Sequence, residues 1–450
     1  MTERSPIPFQ LASRYLRRQN VAMKAMQLPR MFLARQEFPR PRVEDASQAV
    51  KAELERLFPP GTLKLGAEIG ITVGSRGITD IAVMARAVVD FLKSRETRPF
   101  IIPAMGSHGG AAAAGQRSLI GHYGVTEESM GAPVRDAMET RSLGKTDKGV
   151  EVYIAESAWN SDGVILMNRI KPHTDYKGPI ESGLSKICAI GLGKYEGAQE
   201  YHSHIFDIGL GAAIESAARH VVAAGKVVGG LAILENAYHE TAKIDGVGVQ
   251  DFFAQEQKLL EEARKLMGSL PLDQLDVLLC DRIGKNISGA GLDTNIIGRE
   301  VYGYVPGVPW KKGMPSIHRI VACDLSDESD GNAVGMGLLE FSTERFLKKV
   351  NHRITSINSL TACSPAGAKT PVIMKNDTEA LSSAIRTCPR RPSGPLVCYI
   401  RDTLELDNVY LSEACLPLIE TKGNIKVLSK PAPLSIDGEG NIVSPFVAAH

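Results

Sequence analysis

The sequence predicts an α/β protein of two domains, each a mainly parallel sheet flanked by helices, with the active site in the cleft between them. Three observations predict it. Short apolar runs alternate with amphipathic stretches along most of the chain. At 450 residues the chain is longer than one ordinary domain. Reactive side chains recur just past the apolar runs, where open α/β sheets bind their ligands. Pro271 marks the division, giving an N-terminal domain over 1–268 and a C-terminal domain over 269–450.

A polar, Pro-marked leader precedes the first apolar strand, AEIGITVG at 67–74. Thr79 or Asp80 is placed to cap the following helix, IAVMARAVVDFLKS. PFIIPAM (99–105) is a second strand, followed by GSHGG and an Ala-rich helix near 111–121. GVEVYIA (149–155) and GVILMN (163–168) read as further strands. Residues 206–225 read as helix, VVGGLAILE (227–235) as strand, and 249–268 as a strongly amphipathic helix. Beyond Pro271, strands are expected at 276–281, 318–324, 371–375 and 395–400, with a capped helix over 376–388. The Pro- and Gly-rich final stretch reads as irregular.

Composition narrows the function. A net charge of +1 excludes strong global attraction to nucleic acid or to a membrane, so any anion site is local. No apolar run approaches the length of a membrane span, and the N-terminus lacks the apolar core of a secretory signal. Seven cysteines without a CxxC pair argue against a disulfide framework or a structural zinc site. A reducing cytoplasm is the expected compartment. No GxGxxG or P-loop stands at a strand–helix junction, which disfavours a conventional dinucleotide enzyme or NTPase.

The segment 168–204, NRIKPHTDYKGPIESGLSKICAIGLGKYEGAQEYHSH, carries the densest chemistry. His173 follows Pro172 at a strand end and suits a general base. Lys186, in the weakly polar ESGLSKICAIGLG, is a candidate for a desolvated, nucleophilic amine. His202 and His204 form an HxH pair, of which one can bind metal while the other supports it or does neither. Gly178, Gly183, Gly191, Gly193 and Gly197 permit sharp turns or close approach to a ligand. His108 sits in GSHGG, before a helix with unpaired N–H groups. Arg76 suits a bidentate grip on carboxylate or phosphate, and Lys285 follows another strand. His122, His220, His239, His318 and His352 read as surface or packing residues, and Cys188 as a small buried hydrophobe.

The ordered set GSHGG, KPH, SGLSK and EYHSH resembles the nickel-pincer lactate racemase family, in its more distant isomerase branches. The resemblance covers most of the first 270 residues, and His202 follows Lys186 by sixteen positions, as in that family. It implies a nickel pincer nucleotide covalently attached to Lys186, with Ser182 and Gly183 contacting its phosphate through backbone N–H groups. It also implies His202 as the nickel ligand, His108 and His173 as paired acid/bases, and Arg76 as the grip on the substrate carboxylate. The N-terminal domain is then the cofactor-binding and catalytic one, and the C-terminal domain closes the substrate cleft. There, Asp293 and Asn295 match the family's Asp-x-Asn element, and either Lys285 or Arg299 supplies the positive charge that follows it. Gly109-Gly110 replace the racemases' Arg-Pro, and Leu184 replaces a glycine, so the expected substrate is a hydroxy acid or polyol other than lactate.

The expected function is therefore a racemase or epimerase of a 2-hydroxy acid or related secondary alcohol. The expected partners are that small-molecule substrate and the cofactor-biosynthesis enzymes, with a homo-oligomer possible and no nucleic acid or membrane. Two alternatives remain at this stage. One is a divalent-metal hydrolase or lyase built on His202 and His204. The other is a non-catalytic carrier of the cofactor or assembler of the metallocentre.

Overall fold

The computed structural model describes residues 27–446; of the Pro-marked leader read before residue 67, residues 1–26 lie outside them, and the rest holds a strand and the helix Ala46–Leu57. In chain order the first strands are β1 (Met31–Gln36), β2 (Glu68–Val73), β3 (Arg98–Pro103), β4 (Thr140–Lys145), β5 (Glu151–Ala155), β6 (Gly163–Arg169), β7 (Val227–Glu235) and β8 (Thr241–Val247). They continue as β9 (Gln274–Ile283), β10 (Ser316–Leu325), β11 (Phe341–Thr343), β12 (Val372–Met374), β13 (Val397–Ile400), β14 (Asn408–Ser412) and β15 (Ile425–Val427).

A five-stranded sheet has the order β3-β2-β6-β7-β8, and an eight-stranded sheet the order β12-β11-β10-β9-β13-β14-β1-β15. In the first, only β8 runs antiparallel. In the second, β9 to β13 are parallel, while β14, β1 and β15 join by antiparallel pairing. The mainly parallel α/β class read from the sequence is the observed one. No helix among the described residues is long and apolar enough to cross a membrane.

The apolar runs are continuous because these strands are buried on both faces. Along β6, Val164 and Leu166 face one core, with the helices Leu210–Ala223 and Phe252–Leu266. Ile165 and Met167 face the other, with Ala46–Leu57 and Ile81–Ser94. The larger sheet repeats this: Leu278 and Cys280 of β9 point to one side, Val277 and Leu279 to the other.

Several elements depart from the sequence reading. The strand at 149–155 belongs to neither large sheet; β5 pairs with β4 in a separate two-stranded ribbon. Neither Thr79 nor Asp80 caps Ile81–Ser94 through its side chain: Asp80 is left-handed (φ 60), and Thr79 Oγ1 donates instead to the His239 carbonyl. The final stretch is not wholly irregular, since β14 and β15 lie within it. Strand β1 sits in the larger sheet, paired with β14 and β15 from the far end of the chain. Chain position cannot reveal such long-range pairing.

The connection after β6 positions most of the reactive groups. A bridge between Lys171 and Ser182 closes the loop carrying His173. Leu184–Lys186 then opens a short helix that continues as a π-helical turn, Ile187–Gly191, a distortion concentrated at functional sites. Glu256, buried on the helix Phe252–Leu266, receives the Ser185 N–H at 3.0 Å and the Ser185 hydroxyl. Its carboxylate thus satisfies the start of the lysine-bearing helix. Burial raises the Glu256 pKa to about 7, against the lowering effect of the Ser185 bonds. Gly183 makes this approach possible, because a Cβ there would lie 2.1 Å from Glu256 Oε1.

Two stability outcomes follow. Gly183→Ala is expected to cost ~1–3 kcal/mol through overpacking, seen as a lower denaturant midpoint; an unchanged midpoint would show that Glu256 does not pack there. Phe32→Ala, at a fully buried β1 position, is expected to cost ~3–5 kcal/mol by the same measurement. A loss under ~1 kcal/mol would mean β1 is not integral to the larger sheet.

Candidate active site

The smaller sheet reverses its winding direction between β2 and β6: the chain moves from β2 outward to β3, then returns past it to β6 and on to β7. Such a switch point opens a crevice beyond the carboxyl ends of the strands. Arg76 follows β2, His108 follows β3, and His173 follows β6. The strand order therefore sets Arg76 between two histidines, with the outer strands about 10 Å apart.

All three line a cavity of about 530 Å³, together with Ser182, Lys186 and His202. Its opposite wall comes from the larger sheet and includes Lys285, from the loop after β9, and Asn358. Four strand ends named from sequence thus meet in one place.

His173 is buried, and the Asp175 backbone N–H donates to its Nδ1 at 3.0 Å. In the neutral ring the proton then sits on Nε2. That nitrogen lies 2.5 Å from Lys186 Nζ, so a neutral His173 can donate to the lysine amine once the amine has lost its proton. The electrostatics bring that loss closer to neutral pH. Burial lowers the Lys186 pKa to about 8, with Arg76 and Lys171 pushing the same way against Asp175. His173 is held well below its ordinary value by burial and by the positive charges of Lys186, Lys177 and Lys171. An amine with an available lone pair can attack an acyl group and be acylated.

His108 projects into the cavity, where Ser75 Oγ bonds its Nδ1, leaving Nε2 to face the interior. Gly109 (φ 65) and Gly110 (φ 66) make the turn that carries the chain from this ring to the helix Ala113–His122. Surrounding protein mass lowers the His108 pKa to about 3, assisted by Arg76, Lys285 and Lys186. The ring is exposed toward the cavity, where the three cations favour its neutral form. Arg76 donates to the Lys285 carbonyl at 3.2 Å, joining the two walls.

His202, on the helix Lys194–Ser203, donates Nδ1–H to the Ala198 carbonyl at 2.6 Å. Its Nε2 lone pair is thereby free to ligate a metal, a typical arrangement for a ligating histidine. Burial keeps it neutral, lowering its pKa against the Ala198 bond. His204 turns away to Glu200 Oε1, 3.0 Å, so the HxH pair does not act jointly. Among the described residues no three His, Cys, Asp or Glu side chains gather to hold a metal. A metal at His202 would need ligands from a bound small molecule.

Other expectations require correction. The Ser182 N–H is spent on the Lys171 carbonyl at 3.2 Å, so only the rest of that residue faces the cavity. Gly183 lies against Glu256 and outside the cavity lining. Asp293 caps the short helix Thr294–Ile297 and holds Asn295 Nδ2 at 2.8 Å. Asn295 supports His173 from behind, donating to its carbonyl at 3.3 Å. Arg299 is 2% exposed and occupied by Glu340, 3.1 Å, and the Leu338 and Ile317 carbonyls. Lys285 is therefore the cavity cation, and Arg299 a structural one.

The remaining histidines lie outside the cavity, for example His122 on Ser118 and His220 on Leu143. Cys188 is fully buried in the core, and all seven cysteines are free. Three cavity residues escaped the sequence reading. Lys171 stands two residues before His173, so the same strand-end argument points to it. Asp175 is the acid of this basic cavity. Asn358 accepts from Lys285 Nζ at 2.7 Å; it comes from a distant helix, His352–Thr361, and no local signal marks it.

Residues 74–210, the span holding the β2, β3 and β6 loops and His202, match the lactate racemase N-terminal domain. The lactate racemase apoprotein from Thermoanaerobacterium thermosaccharolyticum shares the fold, with a TM-score of 0.50 over 83% of this chain and 94% of that one, at 14% identity. No curated protein matches the sequence. The domain match falls on the segment that builds the switch-point crevice: residues 74–210 are similar to the lactate racemase N-terminal domain, and the chain as a whole shares the lactate racemase fold.

Proposed function

We propose that the protein is a racemase or epimerase of a 2-hydroxy acid or related secondary alcohol, working with a nickel pincer nucleotide joined to Lys186 and ligated by His202. The observation that carries this reading is the lateral order His108, Arg76, His173, imposed by the strand order β3-β2-β6. The similarity of residues 74–210 to the lactate racemase N-terminal domain supports the cofactor assignment. The donor set also suits it: one neutral imidazole with a free Nε2, one amine whose pKa burial lowers to about 8, and no competing cluster of protein ligands among the described residues. When bound, the cofactor supplies a reversible hydride acceptor.

The chain's own residues do the rest. Arg76, with Lys285 beside it, grips the substrate carboxylate and fixes the carbinol carbon between the two rings. Inversion requires a proton acceptor on one face and a proton donor on the other, because the hydroxyl proton is lost from one enantiomer and regained by the other. His108 Nε2 serves one face and His173 the other; with its Nδ1 held by the Asp175 N–H, His173 offers Nε2–H as the donor, and it acts as base once that bond is released and the proton moves to Nδ1. The cavity wall from the larger sheet excludes water. The division near residue 268 enters the same proposal, with β1 counted in the C-terminal unit. A cytoplasmic setting, where cofactor-making enzymes can load the site, also belongs to it.

The hydrolase alternative lacks a ligand pair, since His204 is turned to Glu200. Carriage without catalysis leaves the paired histidines unexplained.

Co-expression with the cofactor-making enzymes followed by intact-protein mass spectrometry tests the assignment. The wild type is expected to show a covalent adduct, Lys186→Ala none, and His108→Ala the adduct without turnover of hydroxy acids. Turnover retained in both variants would reject the roles. The pH profile supplies a second test. Both imidazoles are shifted below 6.5, so as pH falls the base ring stays neutral while the protonated form of its partner becomes more populated. kcat/KM should not fall from neutral pH down to about pH 5.5, and an acid limb centred at the ordinary histidine value would contradict this. Above about pH 8, loss of charge on Lys285, whose pKa burial lowers to about 8, should raise KM for the carboxylate.

A further inference from the structure

One cation in the cavity has no part in the chemistry above. Lys171 lines the cavity between β6 and His173, and its backbone is fixed on both sides by the bridge to Ser182, at 3.0 and 3.2 Å. Lys285 Nζ, by contrast, is tied to the Gly289 carbonyl and Asn358 Oδ1, at 2.6 and 2.7 Å. Lys177 Nζ reaches the His173 carbonyl and Asn295. The Lys171 ammonium makes no hydrogen bond or ion pair among the described residues; its electrostatic neighbours are Arg169, Asp293, Arg76 and Glu235. Both acids are already engaged, Glu235 with Arg169 and Asp293 with Asn295.

Arg76 and Lys285 suffice for one carboxylate. A further enclosed, unpaired cation beside them is costly unless an anion arrives to meet it. We propose that the substrate carries a second anionic group, and that Lys171 pairs with it while Arg76 holds the carboxylate next to the carbinol carbon. This rests on the hydroxy-acid reading above and narrows its class to dianionic hydroxy acids, such as a 2-hydroxy dicarboxylate or a phosphorylated hydroxy acid.

The test uses the full chain without nickel or nucleotide, titrated calorimetrically with malate and with lactate. Malate is expected to bind at least tenfold more tightly, the scale of one charge-assisted pair. Lys171→Met should remove that preference while leaving lactate affinity within about twofold. Equal binding of the two acids by wild type, or equal weakening of both in Lys171→Met, would overturn the proposal. So would loss of the nucleotide adduct in Lys171→Met by intact mass, which would assign the lysine to the cofactor phosphate. If malate is preferred through Lys171 but the loaded protein inverts no dianionic hydroxy acid, the racemase reading fails and the dianion site stands.

Discussion

The reversal of strand order at β2 is the constraint on which the site depends. A sheet wound in one direction would spread its carboxyl-end loops along an edge. Here β3 and β6 both flank β2, so the loops after all three open over one crevice. Hydrogen-bond pairing fixes their separation, for example Ile71 against Ile101 on one side and Ile165 on the other. The rigid spacing comes from backbone registry; the loops only add the reactive atoms.

The second organising effect is the accumulation of positive charge in a poorly hydrated space. Arg76, Lys171, Lys186 and Lys285 share the cavity with Asp175 as their close acid. At an effective dielectric near 20, two unit charges about 6 Å apart interact by roughly 3 kcal/mol. Repulsion of that size, added to burial, favours the neutral form of both site histidines and lowers the Lys186 pKa to about 8. The same field attracts an anionic substrate. One arrangement therefore sets the protonation states and the substrate charge together.

Behind the cavity, buried polar contacts hold the reactive groups in place. Glu256 meets Ser185, which precedes Lys186. Glu181 accepts the His173 backbone N–H at 2.5 Å and is itself paired with Arg264 at 2.8 Å. Lys194, fully buried, donates to the Pro103 carbonyl at 2.6 Å and to Gln116, whose amide holds the Met105 and Gly106 carbonyls before His108. Each catalytic candidate thus sits on a segment whose backbone is anchored by a buried side chain, the support a precise site requires.

Much of this was legible in the sequence. Apolar runs such as GVILMN and VVGGLAILE mark two-sided burial wherever they occur, and β6 and β7 appear where those runs lie. A histidine or lysine just past such a run is likewise visible, so Arg76, His108, His173, Lys186, His202 and Lys285 could all be named. Local chemistry could not tell Lys285 from Arg299, because only the fold brings Glu340 against the latter. Nor could it place β1, whose partners lie more than 370 residues away. Asn358 and the Glu256–Gly183 contact were hidden for the same reason. The sequence determines what each short segment prefers to be and which atoms it offers; which of those atoms meet is decided by long-range pairing and burial, whose energy is shared among segments and written in none of them alone.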